Sequence, residues 1–123
     1  MNASLHPASP HPGFRTEVDF ELPKGYLDES GTLHRRGVMR LATAADEILP
    51  LRDPRVQQNE AYLAVIVLAR VIVQLGTLPD IHTGVIEGLY ASDLAYLQRL
   101  YESLNAEDDV DAPPPRMSVL GEA

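Results

Sequence analysis

Residues 17–41 read EVDFELPKGYLDESGTLHRRGVMRL. Val18, Phe20 and Leu22 alternate with Glu17, Asp19 and Glu21, the period of two that gives a strand one apolar and one polar face. Pro23-Lys24-Gly25 is expected to end this strand, because proline brings no N–H to a ladder. Asp28-Glu29-Ser30-Gly31 supplies turn residues between Tyr26-Leu27 and Thr32-Leu33, so a β-hairpin follows. Its return strand is expected over residues 32–41 with Leu33, Met39 and Leu41 on one face. Arg35 and Gly37 interrupt that face, and Gly37 is expected to mark a bulge.

Downstream the period changes. Thr43, followed three and four residues later by Asp46 and Glu47, supplies an N-cap with acids near the positive helix end, predicting a short helix over residues 44–49. Pro50 and Asp53-Pro54 break the pattern into a connector, and Asn59 or a neighbour is expected to cap the next helix. Residues 60–75, EAYLAVIVLARVIVQL, predict a helix stopped by Gly76, although their β-branched content leaves a strand open. Such a helix, apolar on nearly every side, requires burial on most faces. After Leu78-Pro79, residues 83–89 predict a short helix. Ser92 is expected to cap a last one, with Leu94, Leu97, Leu100, Tyr101 and Leu104 at helical spacing.

The expected architecture is therefore α+β, a small N-terminal antiparallel β-hairpin followed by a bundle of three to four helices. One domain covers residues 16–105. Residues 1–15 hold His6-Pro7, Ser9-Pro10 and His11-Pro12-Gly13 and predict a disordered Pro-rich arm. Residues 106–123 hold Glu107, Asp108, Asp109 and Asp111 before Pro113-Pro114-Pro115 and predict a disordered acidic, Pro-rich tail. A folded unit of this size buries a thin core, which makes association with a partner an early expectation.

Ten Lys and Arg against eighteen Asp and Glu give the 123-residue chain a formal charge of −8. That is the wrong sign for neutralising phosphates or adsorbing to anionic lipid, so neither nucleic acid nor membrane is expected as a partner. Residues 61–75 are interrupted by Arg70 and Gln74 and fall short of a membrane span. Residues 1–13 carry neither a basic nor an apolar signal region, and the chain has no cysteine; together these lead to an expected cytoplasmic location.

Catalytic chemistry has no motif behind it. His6 and His11 fall in the arm, and His34 and His82 are isolated, each expected to be an ordinary surface or turn residue. Neither GxSxG, HExxH nor a Gly-rich phosphate loop occurs. The run Asp108-Asp109-Val110-Asp111 lacks the glycine and closing glutamate of a calcium loop. No enzyme activity, cofactor or metal is expected. Arg35, Arg36 and Arg40 form a small basic group on the hairpin, read as a solvated face or as a dock for an acidic partner.

Three ordered blocks then carry a resemblance. FELPKGYLDESGTLHRRGVMRLATAADEI (20–48), DPRVQQNEAYLAVIVLARVI (53–72) and IEGLYASDLAYLQRLYESLN (86–105) resemble, in order and spacing, the tail assembly proteins of contractile phages and phage-derived contractile injection systems. The resemblance implies a phage tail assembly chaperone: a cytosolic, non-enzymatic factor that holds the tape measure protein soluble while tube subunits polymerise around it. Two alternatives stand beside it, a structural baseplate or hub component of the same machine and a small unrelated adaptor or regulatory protein. Retention in purified particles separates the first of these from a chaperone. Homo-oligomerisation is left open by the sequence.

The apolar stripes offer partner-binding anchors for such protein–protein interaction: Tyr62, Ile66 and Val73 along the first long helix, and Leu94, Leu97 and Tyr101 along the last. The competing use of both stripes is intramolecular core.

Overall fold

The computed structural model describes residues 16–106; the expected arm over residues 1–15 and the acidic tail from Glu107 onward lie outside the described residues. The fold is α+β. Strands β1 (Glu17–Leu27), β2 (Leu33–Arg40) and β3 (Ile72–Leu75) form one antiparallel sheet in the order β1-β2-β3. Helices α1 (Ala44–Ile48), α2 (Pro54–Gln58), α3 (Tyr62–Val71), α4 (Thr83–Glu87) and α5 (Ala91–Asn105) accompany it, with a 3-10 turn at Leu49–Arg52 between α1 and α2.

The hairpin stands where the sequence placed it, but β1 does not end at Pro23. It runs on to Leu27 through a wide bulge, as the register slips between Glu21↔Arg36 and Tyr26↔His34. Backbone groups freed from the ladder there find two side chains. The carboxyl oxygens of Asp93, in the first turn of α5, accept the N–H groups of Lys24 (3.0 Å) and Gly25 (2.7 Å). Arg35 donates from Nε to the carbonyl of Leu22 (3.0 Å) and from Nη2 to that of Pro23 (3.1 Å). Proline is tolerated because its missing N–H falls in the bulge rather than in a ladder bond.

The bulge also shifts the parity of β2. Leu33 is 51% exposed rather than sharing a buried face with Met39, which is fully buried, and His34 and Gly37 turn inward. Gly37 faces Phe20 across β1 and Leu75 across β3. A Cβ at this position would lie 2.4 Å from the carbonyl oxygen of Gln74 and 2.4 Å from the Phe20 ring. Close approach of β3 and an aromatic ring explains the glycine better than a break in the pattern.

Thr43 caps α1 through a capping box with Asp46, as its spacing predicts. The connector beyond it contains α2, which the proline signals concealed: Asp53 caps this helix and Pro54 occupies its first turn, where a missing N–H costs nothing. Residues 60–75 depart most from the single helix expected of them. The helix begins at Tyr62 and ends at Val71, and Ile72–Leu75 becomes β3. A continuous apolar run does not distinguish helix from strand. What decides is that β2 needs a second partner, and the β-branched Ile72 and Val73 suit an extended chain. Gly76 has φ +57°, but it follows a strand and donates its N–H to the Arg36 carbonyl at 2.7 Å. At the last helix Ser92 lies inside the first turn and accepts from Lys24 Nζ (2.7 Å), while Tyr90 takes the capping position without a side-chain bond.

Helices cover one face of the sheet. Phe20 and Leu22 from β1, Met39 from β2, and Ile72 and Leu75 from β3 meet Leu68 and Val71 of α3, Val85 and Ile86 of α4, and Leu97 of α5 in one buried cluster. Asp19, Glu21, Arg36 and Gln74 are exposed, and cross-strand pairing places Glu21 opposite Arg36. Among the described residues, no helix is long and apolar enough to cross a membrane.

Candidate functional site

A groove of about 750 Å³ opens on the helical side. One wall is Glu47 and Ile48 of α1 with Leu51 of the 3-10 turn; the floor is Leu63, Ala64, Val67 and Leu68 of α3; the far wall is Gln98, Tyr101 and Glu102 of α5. Local chemistry explains why it stays open. Pro50 is buried in the turn after α1, which leaves Ile48 (59% exposed) and Leu51 (48% exposed) projecting outward rather than into the sheet. Ala64 contributes only a methyl group to the floor. Isolated exposed apolar side chains are ordinary, but several bordering one apolar depression form the kind of surface that marks a protein-binding site.

Electrostatics hold the near wall in place. Asp46, 2% exposed, accepts two bonds from the Arg40 guanidinium (2.7 and 3.1 Å), one from Arg70 Nε (2.9 Å) and one from the Thr43 N–H (2.8 Å). This carboxyl ties β2 and α3 to the start of α1. Hydrogen bonding from Arg40, followed by the Thr43 and Arg70 bonds, holds its pKa well below the ordinary 3.8 despite the opposing effect of burial. Since the folded-state value lies below the unfolded 3.8, the contribution is complete above about pH 5, where the unfolded carboxyl is also ionised, and is lost as pH falls through 3.8 toward the depressed value. Asp46→Asn is expected to cost about 2 kcal/mol at neutral pH, limited because Arg40 and Arg70 keep access to water. It is also expected to flatten the decline in stability between about pH 5 and pH 2.5. Urea denaturation across that range checks both; equal slopes for variant and wild type would refute the assignment.

Across the groove, Tyr101 Oη donates to the Glu47 carboxylate. Burial, then the hydrogen bond to Glu47, pushes the phenol above its ordinary range, so the α1 to α5 tie persists through the physiological range.

Of the anchors expected from sequence, only Tyr101 lines the groove. Ile66 (8% exposed) and Leu97 (1% exposed) are interior side chains and present no surface to a partner. Leu94 is half-buried against the core. Val73 is 47% exposed but belongs to β3, so it cannot share a helical stripe with Tyr62 and Ile66. Tyr62 is engaged internally: Arg55 stacks 4.9 Å over its ring and its hydroxyl donates to Glu87. Ile48 and Leu51, which do line it, carry no periodic signal, because a four-residue ILPL segment is too short to show a helical stripe; apolar residues flanking a proline are their only mark in the sequence.

The two histidines of the domain are structural. His34 is buried at 3% exposure, contrary to a surface or turn role. Its Nδ1 accepts the Thr77 N–H (3.2 Å), which places the ring proton on Nε2, facing Asp28 Oδ2 at 2.7 Å. His82 caps α4 by accepting the Gly84 N–H at 3.1 Å. The three arginines of the hairpin also part company: Arg35 serves the bulge, Arg40 serves Asp46, and Arg36 remains exposed. Among the described residues no three histidine or acidic side chains converge on a metal-sized site.

No family model, curated protein or solved structure matches this chain.

Proposed function

We propose that this chain is a non-enzymatic assembly factor of a phage-tail-like machine, a cytoplasmic chaperone whose groove between α1, α3 and α5 receives an apolar segment of the tape measure protein. The observation that carries this reading is the apolar depression bordered by Ile48, Leu51 and Tyr101, left uncovered in a domain whose other large helix side chains are mostly turned inward. Helix-in-groove docking requires an elongated apolar floor with anchors along its length. The ten residues of α3 span about 15 Å, matching about three turns of a docked helix. The three sequence blocks that resemble tail assembly proteins include every groove-lining residue except Leu51, from Glu47 to Glu102, which joins the resemblance to the geometry.

Co-expression with the tape measure protein of the same gene cluster, followed by affinity capture and size-exclusion chromatography, tests the reading. Co-elution, with more tape measure protein in the soluble fraction than when it is expressed alone, is the expected result. Identical behaviour of each protein alone and together would remove the proposal.

A further inference from the structure

Resting on that reading, the rim of the groove specifies its occupant further. Glu47, Glu60 and Glu102 line it, and no Lys or Arg does. Glu60 and Glu102 are exposed and form no ion pair among the described residues. We infer that the groove takes an amphipathic partner helix whose apolar stripe is bordered by Lys or Arg, so that the stripe covers Ile48, Leu51 and the half-buried Leu63 while the cations meet the carboxylates.

Charge favours this occupant over the others available. A second copy of the chain brings a net charge of −8 toward the same rim. The chain's own C-terminal segment carries Glu107, Asp108, Asp109 and Asp111 directly after α5, whose residue Glu102 is already on the rim. Like charges brought together are penalised, whereas a cationic border is attracted and oriented before the apolar stripe seats. The floor supplies the non-directional part of the affinity and the rim the choice of partner.

The test uses full-length protein and three fluorescently labelled peptide helices that share one leucine stripe and carry Lys, Gln or Glu on their remaining positions. At low salt the Leu/Lys helix is expected to bind at least about tenfold more tightly than the Leu/Gln helix, with the gap narrowing as salt rises. The Leu/Glu helix is expected to bind most weakly. Glu60→Gln with Glu102→Gln should weaken Leu/Lys binding about threefold to tenfold and leave Leu/Gln binding unchanged. Asp19→Asn with Glu29→Gln makes the same change in net charge away from the groove and should have no such effect.

If that remote pair weakens binding equally, general attraction to an acidic protein explains the result and the inference falls. Equal binding of the Lys and Gln helices overturns the cationic preference while leaving the groove reading intact. If no helix binds, the groove reading itself fails. Concentration-dependent dimerisation abolished by Ile48→Asp with Leu51→Asp would identify a second copy as the occupant and also overturn the inference.

Discussion

Asp93→Ala is expected to lower the free energy of unfolding by about 3 kcal/mol, because it strands two amide groups at once. Asp93 is fully buried, and its two oxygens accept from the Lys24 and Gly25 N–H groups across sequence separations of 69 and 68 residues. Neither amide belongs to the regular ladder, since the register of β1 slips between Glu21 and Tyr26. The carboxyl group also lies in the first turn of α5, where hydrogen-bond acceptors meet free helix N–H groups and a favourable dipole. A domain of this length has only about 5–10 kcal/mol in total, so the loss should lower Tm by roughly 15 °C. Asp93→Asn retains one acceptor and turns an NH2 toward the other amide, and should recover little. Urea denaturation of both variants measures this; a change below about 0.5 kcal/mol in the alanine variant would mean that the bulge is not pinned by α5.

Gly37→Val is expected to prevent the native sheet from forming, and Gly37→Ala to cost about 3 kcal/mol. The decisive neighbour is the Gln74 carbonyl oxygen, 2.4 Å from the point an alanine Cβ would occupy. It belongs to the β3 backbone and cannot withdraw without opening the Val38↔Gln74 pairing. Phe20 could rotate or be shortened, but that relieves only one of the two collisions. Phe20→Leu combined with Gly37→Ala should therefore fail to restore stability. Full rescue by that pair would show that ring contact, rather than strand approach, imposes the glycine.

These two positions also show what sequence could and could not convey. Alternation from Glu17 to Leu22, turn residues at 28–31 and the Thr43 cap are local signals whose partners lie within a few residues, and each element formed. Asp93 and Gly37 act through contacts made only after β1, β3 and α5 meet, so Asp93 shows no pattern in the chain and Gly37 shows only as a break in the apolar face, without its cause. The same reason conceals β3: EAYLAVIVLARVIVQL is apolar throughout, and the change from helix to strand at Ile72 is imposed by the free edge of β2. At the candidate site, the stripes at 62–73 and 94–101 identified apolar helices but not which sides the sheet would cover. Ile66 and Leu97 consequently became interior, while Ile48 and Leu51, beside a proline and lacking a periodic pattern, became the exposed wall.

Tyr101 is a poor probe of the groove, since it is half-buried and tied to Glu47, so its replacement would alter stability and binding together. Ile48 and Leu51 are better, because both side chains are largely in water already and polar substitution there should leave stability within about 0.5 kcal/mol. The most direct measurement is co-elution of the tape measure protein with wild-type chain and with the Ile48→Asp, Leu51→Asp variant, each after its melting curve has been recorded. Unchanged melting, a wild-type complex and at least about a hundredfold weaker association for the variant are the expected results, since two apolar anchors become charged. A variant that melts normally and still binds as wild type does would contradict the assignment of the groove as the docking site.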